Sequence, residues 1–247
     1  MVGAGALGCA AARTLARDRR VRITLVDFDD VELSNLQRQV LYSDADLGRS
    51  KVAAAAARLA DEFGARVATV HGRFDAGTGP ALVAEADIVV DATDDPATKF
   101  LISRLCTEAR TPSVYAGVAR TGGQWMLVVP GRSACLECVF PKADVQSRAQ
   151  SQDFESAAGC AALGILAPVA GFVGAMQGIT ALAFLEDPER VAAGRLHLYE
   201  LTGARSRHVD FAADDACMCR QARISISAGG QAATSAAFEQ RFEENRS

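Results

Sequence analysis

The sequence is poor in histidine and lysine, and it carries no excess of basic charge. Its three histidines, His71, His197 and His208, belong to no motif, so a histidine-based catalytic triad has no support. The chain holds 26 basic and 30 acidic residues, which gives a formal net charge of -4. Because general nucleic-acid binders need a basic face to neutralise phosphates, no nucleic-acid partner is expected.

The chain start also lacks the pattern of a secretory signal peptide, since a glycine motif follows Met1. The longest apolar stretch, residues 161–185, is long enough to span a bilayer. It contains glycines, a proline and Gln177, and no basic cluster flanks it, which favours a buried helix. We therefore expect a cytoplasmic protein without a membrane partner, whose seven cysteines are thiols or metal ligands rather than disulfides.

Apolar, strand-like runs alternate with helical patterns along the chain. This alternation predicts an α/β fold with a doubly wound, Rossmann-like, mostly parallel sheet and a C-terminal antiparallel extension. We expect residues 1–227 to form a single domain and residues 228–247 to be a poorly ordered tail. A helix is predicted from Lys51 to Phe63, and a turn is predicted at residues 121–123. The predicted strands are residues 22–28, 66–74, 87–93, 113–120 and 123–130.

Gly3, Gly5 and Gly8 form the pattern Gly-x-Gly-x-x-Gly immediately before a helical segment. Such glycines allow a tight turn and let a phosphate approach the free N–H groups of a helix N-terminus. Asp27 ends the first long predicted strand, where a carboxylate can bond a ribose hydroxyl. The two features together predict a nucleotide site, and by themselves they leave NAD as open as ATP.

A polar segment follows Asp27 and carries Asn35 and Arg38, with Lys51 just ahead of a helix. Arginine can bind two phosphate oxygens at once, and lysine acts as a point charge. Ligands of such sheets bind at this edge, and two cations suit a triphosphate better than a nicotinamide. A solvated polar loop is the alternative, which the position of the segment disfavours.

The sequence Asp-Ala-Thr-Asp-Asp, residues 91–95, closes another predicted strand at the same edge. A carboxylate there can hold Mg²⁺ together with substrate phosphates, and Asp94 is our candidate. The alternative is helix capping, because Asp94 or Asp95 could cap the helix that begins near Pro96. The two residues could also divide these roles between them.

Two cysteine pairs lie far apart in the chain, Cys135 with Cys138 and Cys217 with Cys219. Four thiolates around zinc make a closed tetrahedral site that would clamp the two remote segments together. The Cys-x-Cys spacing of the second pair is tighter than usual for such a site. Four unligated thiols are the alternative.

Cys160 stands alone where the polar segment 142–156, predicted to be a mobile loop, gives way to an apolar one. A cysteine between a loop and a helix start could have a lowered pKa and act as a nucleophile. A small buried apolar side chain is an equally open interpretation. Cys9 and Cys106 fall inside helical patterns and are expected in the core.

Taken in order, these motifs resemble those of the ThiF/MoeB/HesA family, relatives of the ubiquitin-activating enzymes. The resemblance runs from Gly3 to about Arg220. The long segment that contains Arg38 and Lys51 is its most specific part. The matching stretches are GAGALG, VDFDDVELSNLQRQVLYSDADLGRSK, DATDD, GGQ, CLECVFP and GCAALGILAPVAGFVGAMQG.

The resemblance implies an adenylyltransferase that works as a homodimer. It would use ATP and Mg²⁺ to activate the C-terminal glycine of a ubiquitin-like sulfur-carrier protein ending in Gly-Gly, for thiamin or molybdopterin biosynthesis. Matched residue by residue, it implies that Asn35, Arg38 and Lys51 surround the triphosphate, Asp27 binds the ribose and Asp94 serves magnesium and adenylation. It also implies that Cys160 accepts the activated carrier and that Cys135, Cys138, Cys217 and Cys219 bind zinc.

Three departures from the family pattern qualify these expectations. The second cysteine pair is normally Cys-x-x-Cys, and Asp95 stands where the family has asparagine. The N-terminal helix and most of the first strand of the family pattern do not appear in the sequence, which leaves two alternatives, a truncated gene model or a catalytically impaired carrier-binding scaffold. An NAD-dependent oxidoreductase, the remaining alternative, would leave Arg38, Lys51 and Asp94 without a role.

Overall fold

The structure, a computed structural model, describes residues 1–140 and 164–220 of the chain. Within these ranges it contains seven strands and six α-helices. The strands are β1 (Arg22–Asp27), β2 (Arg66–His71), β3 (Val89–Asp91), β4 (Ser113–Ala119), β5 (Gly122–Val128), β6 (Arg195–Glu200) and β7 (Arg205–Asp210). The helices are α1 (Ala6–Leu15), α2 (Lys51–Phe63), α3 (Gly79–Ala84), α4 (Pro96–Ala109), α5 (Leu136–Val139) and α6 (Ala167–Glu186).

The sheet has a parallel part and an antiparallel part. β1 pairs with β2 and β3 pairs with β4 in parallel, whereas β4 to β7 follow one another in antiparallel pairs. Val2 joins the parallel pairs, because it forms parallel bridges to Val26 of β1 and Asp91 of β3. The predicted α/β class with an antiparallel extension is confirmed. The antiparallel part is larger than the predicted mostly parallel sheet implies, since three of the five pairings between these strands are antiparallel.

Helices pack on both faces of the parallel part. Strand β3 is buried on both sides, whereas Arg22 and Thr24 of β1 and most of β2 are exposed. One core lies between the sheet and α1, α2 and α6, and it includes Leu25, Leu59 and Val90. A second core lies between the sheet and α3 and α4, and it includes Val89 and Ile102. Val89 and Val90 are neighbours on β3 yet pack in different cores, since successive strand residues point to opposite faces.

Helix α6 corresponds to the long apolar stretch of the sequence. Among the described residues it is the one helix whose length and composition would allow it to cross a membrane, a test that buried core helices also pass. It packs closely on α1, because a Cβ at Gly174 would lie 2.4 Å from the carbonyl oxygen of Leu7. Its Gln177 is fully buried and donates hydrogen bonds to main-chain carbonyls of β3 and β4. The prediction of a core helix agrees with this packing.

The predicted limits of α2 are confirmed, and the predicted turn before β5 is shifted. α2 begins after Ser50, whose hydroxyl accepts from the N–H of Ala53, and ends at Gly64 with φ 63°. The turn lies at residues 120–121, and the glycines that predicted it belong to β5. A Cβ at Gly123 would lie 2.6 Å from Val173 of α6. This glycine is therefore needed for close helix–sheet packing rather than for the turn.

Candidate active site

A cleft of about 1860 Å³ opens along the carboxyl ends of the parallel strands. It lies where the strand order reverses around Val2, the place at which open α/β sheets bind their ligands. The structure brings seven of the eight predicted nucleotide-site residues together there. These are Gly3, Gly5, Asp27, Asn35, Arg38, Lys51 and Asp94.

The three motif glycines have different roles. Gly3 has φ 95°, and a Cβ there would lie 2.6 Å from the carbonyl oxygen of Ala92 at the end of β3. Gly8 does not line the cleft, and it allows α1 to pack on the loop, because its Cβ would lie 2.1 Å from the carbonyl oxygen of Gly3. Gly5 is the N-cap of α1, lines the cleft and has open space where a Cβ would project. An anionic group can therefore approach the N-terminus of α1 at Gly5.

Asp27 is held rigidly at the end of β1. One carboxylate oxygen accepts from the N–H of Ala4 at 2.6 Å, and the other accepts from the N–H of Asp29 at 2.8 Å. Each oxygen keeps a second lone pair that can accept a ligand hydroxyl. The carboxylate is thus preorganised between the glycine loop and the polar segment.

The two predicted cations lie at different depths in the cleft. Lys51, the first residue of α2, is buried, and its ammonium lies 2.7 Å from a carboxylate oxygen of Asp29. The side chain of Asp29 is 46% exposed, so solvent screens this ion pair on one side. Arg38 is half-buried, and its guanidinium donates to the carbonyl oxygen of Ser34 at 2.8 Å. Both cations are therefore placed before any ligand arrives.

Asn35 shapes the polar segment that carries Arg38. It is buried, its side-chain oxygen accepts from the N–H of Glu32, and its amide donates to the hydroxyl of Ser34. The side chain of Glu32 accepts in turn from the N–H of Asn35, and this reciprocal capping tightens the short 3₁₀ turn at residues 33–35. Nearby, the buried Gln39 also lines the cleft, and its side-chain oxygen has no partner among the described residues.

The two carboxylates after β3 are in different environments. Asp95 caps α4, because it accepts from the N–H and the hydroxyl of Thr98 at 2.8 and 2.7 Å. Although partial burial opposes it, these hydrogen bonds hold the pKa of Asp95 below its usual value. Asp94 is exposed, and within residues 1–140 and 164–220 no hydrogen bond or ion pair holds its carboxylate. The capping role belongs to Asp95, which leaves Asp94 available to a ligand.

Sequence reasoning missed several residues that line the cleft. Lys99 is buried, and the only available signal was that lysine is rare in this chain. Tyr115 and Gln124 reach the cleft from β4 and β5 and are linked by a 2.9 Å hydrogen bond. Arg73 places its guanidinium 3.8 Å from the centre of the Phe28 ring at the mouth of the cleft. These side chains lie on separate strands, loops and a helix that meet only in the folded chain, so no local spacing indicates them.

The four paired cysteines come together outside the cleft, as the predicted zinc site requires. Their sulfur atoms all lie within 4.8 Å of one another, with separations of 3.5 to 3.8 Å for the closest pairs. Tetrahedral zinc with bonds of about 2.3 Å requires sulfur atoms about 3.8 Å apart, so the residues fit a zinc ion. Burial raises the pKa of the Cys135 thiol to about 12. The remaining members are Cys138, Cys217 and Cys219.

Of the other cysteines, two are described. Cys9 and Cys106 are buried in α1 and α4, as predicted, and burial raises the pKa of each thiol to about 12. Cys160 lies outside the described residues, so its predicted reactivity is not addressed by the structure.

The sequence is similar to one protein family and to several adenylyltransferases. Residues 1–220 match the ThiF family. The chain is 33% identical over 226 residues to the molybdopterin-synthase adenylyltransferase of Escherichia coli (strain K12), which covers 90% of this chain and 86% of that protein. It is 34% identical over 202 residues to the adenylyltransferase and sulfurtransferase MOCS3 of Anopheles gambiae, covering 81% of this chain. The chain spans only 44% of that MOCS3 protein.

A third relative and a solved structure are also similar to this chain. The SAMP-activating enzyme E1 of Haloferax volcanii is 34% identical over 201 residues, which cover 81% of this chain and 71% of that protein. The crystal structure of Escherichia coli MccB with ATP superposes with a TM-score of 0.73 over 87% of this chain and 64% of that chain. The sequence identity to MccB is 24%, so this likeness shows a shared fold.

Proposed function

The chain belongs to the ThiF family, and from this premise we propose that it is an ATP-dependent adenylyltransferase acting on a ubiquitin-like sulfur-carrier protein. The supporting observation is a single cleft that combines a glycine loop at a helix N-terminus, a fixed carboxylate, two placed cations and a free carboxylate. The fixed carboxylate is Asp27, the two cations are Arg38 and Lys51, and the free carboxylate is Asp94. The names of the adenylyltransferase relatives support the same reaction.

In the proposed reaction, the C-terminal glycine carboxylate of the carrier attacks the α-phosphorus of ATP. The new bond joins a carboxylate oxygen to that phosphorus, and the bond to the departing pyrophosphate breaks. No general base is required, because the carboxylate is already ionised at neutral pH. The chain's task is to orient the two reactants and to offset the negative charge on the phosphates.

Lys51 and Arg38 are proposed to carry out that electrostatic task. Lys51 is buried and already held by Asp29, so its ammonium loses little freedom when a phosphate arrives. Arg38 lies at the edge of the cleft with its guanidinium partly exposed, where it can bind two oxygens of the departing pyrophosphate. Asp27 and the N–H groups at Gly5 would hold the ribose and a phosphate on the opposite wall.

The residues present also fit the two metals that the family resemblance implies. Asp94 would bind magnesium, because it offers an exposed carboxylate without a protein partner in the same cleft as the cations. Bound magnesium would neutralise charge on the triphosphate. The four clustered cysteines would hold a structural zinc that joins α5 to the segment after β7.

The far half of the cleft is proposed to receive the carrier tail. It continues from Gly117 and Gln124 toward Tyr199, Arg205 and Arg207 on the antiparallel strands. A tail that ends in Gly-Gly has no side chains to clash there, and the arginines would favour an acidic carrier surface. The molybdopterin-synthase adenylyltransferases among the relatives favour a carrier of molybdopterin biosynthesis over one of thiamin biosynthesis.

A homodimer and a covalent step through Cys160 complete the proposal. Phe172 and Ile179 are seven residues apart on α6 and are 40% and 49% exposed, so they lie on one helix face and offer it an apolar contact surface. Light scattering that shows a mass of one chain at micromolar concentration would contradict the dimer.

Cys160 is proposed as the acceptor of the activated carrier because it matches the family cysteine.

The experiment that tests the function is ATP–pyrophosphate exchange. Purified protein is mixed with ATP, magnesium, labelled pyrophosphate and a carrier that ends in Gly-Gly, and a carrier without the two glycines is the matched control. Exchange that requires the intact carrier is expected. Carrier binding without exchange would instead support the scaffold alternative, and hydride transfer with NAD would support the oxidoreductase.

A further inference from the structure

Lys99 lines the cleft but has its hydrogen-bonding capacity committed to the protein. Its ammonium lies 3.3 Å from both carboxylate oxygens of Asp91 and 2.7 Å from the carbonyl oxygen of Ala116. It also lies 4.8 Å from the centre of the Tyr115 ring. Three ammonium protons thus have three acceptors. Lys99 is therefore poorly suited to bind a phosphate. Its charge instead faces the carboxylate of Asp91, the last residue of β3.

The partner of Lys99 organises the turn that follows β3. One oxygen of Asp91 accepts from the N–H of Thr93 at 3.1 Å and from its hydroxyl at 2.7 Å. From the opposite face of the sheet, Gln177 of α6 donates to the carbonyl oxygen of Asp91 at 2.7 Å. The side chains of Lys99 and Asp91 are 11% and 4% exposed, so this ion pair is shielded from solvent. The carboxylate and the main-chain carbonyl of Asp91 are consequently both held in place.

The position of Asp94 depends on this turn. Its own carboxylate has no partner in residues 1–140 and 164–220, so the side chain is placed only by its backbone. The backbone is held before Asp94 by the contacts of Asp91 with Thr93 and Lys99, and after it by the Asp95 cap on α4. If the Lys99 contact were lost, Asp91 would be a buried carboxylate without its cation and would rearrange or take up a proton.

We propose that Lys99 is a positioning residue for metal and nucleotide binding. It locks Asp91, and through the turn at residues 91–95 it presents the carboxylate of Asp94 to the cleft. The inference rests on the proposed function of the cleft, since it assigns Asp94 to the metal that accompanies ATP. A purely structural role would lower stability without changing how the folded protein responds to metal.

The test compares three variants of the full chain. Lys99→Met removes the ammonium, Lys99→Arg retains a cation at the same place, and Asp91→Asn with Lys99→Gln replaces the ion pair by neutral groups that can hydrogen-bond. Thr107→Val is the matched control, because Thr107 is buried on the same helix and, among the described residues, its hydroxyl hydrogen-bonds only to the carbonyl oxygen of Ser103. Thermal unfolding establishes the folded fraction of each protein.

The readouts are the magnesium concentration for half-maximal pyrophosphate exchange and the binding of Mn²⁺ with ATP, followed by electron paramagnetic resonance. We expect folded Lys99→Met to need at least five-fold more magnesium and to bind Mn²⁺ at least five-fold more weakly. The neutral pair should behave likewise, whereas Lys99→Arg should stay within three-fold of wild type. Thr107→Val should lose stability without a change in either readout.

Two results in folded protein would contradict the inference. Wild-type metal dependence in folded Lys99→Met, or an equal shift in Thr107→Val, would show a structural role only. If Lys99→Met does not fold, the neutral pair decides by the same criteria. If wild type binds Mn²⁺ with ATP but shows no exchange, the proposed function fails and the binding data still test Lys99. Absence of metal–nucleotide binding in wild type would overturn both.

Discussion

The change Lys51→Met gives the sharpest test of the cleft, because it removes one charge and keeps a similar apolar stem. The ammonium of Lys51 lies 2.7 Å from Asp29, and its side chain is 7% exposed. Removing a preorganised charge that meets the phosphates in the transition state should raise the barrier by about 2.7–4 kcal/mol. The expected fall in pyrophosphate exchange is therefore about 10²–10³-fold.

The same change should affect stability much less than activity. Asp29 is 46% exposed, so it regains water when Lys51 is lost, and an ion pair with so exposed a partner contributes about 1 kcal/mol or less. A large loss of exchange in a protein that unfolds within a few degrees of wild type would therefore locate the effect in the cleft. Circular dichroism on heating measures the second quantity.

Arg49→Met is the matched control for Lys51→Met. Arg49 lies two residues away and also pairs with a carboxylate, at 2.6 Å from Asp46, but it does not line the cleft. Its loss should leave exchange within about three-fold of wild type, which corresponds to about 0.6 kcal/mol of barrier. Exchange by folded Lys51→Met at the wild-type rate, or an equal loss in Arg49→Met, would refute the assignment of the phosphate site.

Three further predictions address magnesium, zinc and the covalent step. Asp94→Asn should raise the magnesium requirement of exchange, and an unchanged requirement would remove Asp94 from that role. The purified protein should contain about one zinc per chain, and Cys219→Ser should reduce it; metal analysis that finds none, with four freely titrating thiols, would contradict the site. Cys160→Ala should keep pyrophosphate exchange and block sulfur transfer, whereas full transfer without a trapped adduct would favour the buried-cysteine interpretation.

The nucleotide side of the cleft could be predicted from the sequence because its residues follow strand ends closely. Asp27 ends β1, Arg38 lies in the connection to α2 and Lys51 begins α2, so chain order alone places them at one edge of the sheet. The division between Asp94 and Asp95 could only be stated as a possibility. The choice depended on which side chain reaches the N–H of Thr98, and the structure gives that contact to Asp95.

The opposite wall could not be predicted, because non-local strand pairing builds it. Tyr115 and Gln124 enter the cleft from β4 and β5, and Arg205 enters from β7. Strand β7 is exposed along its whole length, so it lacks the apolar alternation that indicates a strand in sequence. The glycines at residues 122–123 were misread for a related reason. A glycine can serve a turn or close packing, and only the position of α6 decides between them.

The arrangement of charges explains why the two lysines of the cleft have different roles. Lys51 pairs with a half-exposed carboxylate that solvent can stabilise, so a phosphate can share or replace that partner. Lys99 pairs with a carboxylate that is 4% exposed, and abandoning it would leave a buried, uncompensated charge. A ligand can therefore recruit the first ammonium at low energetic cost but not the second. The exposure of the partner, rather than that of the lysine, separates the cation that meets the nucleotide from the cation that fixes the turn at residues 91–95.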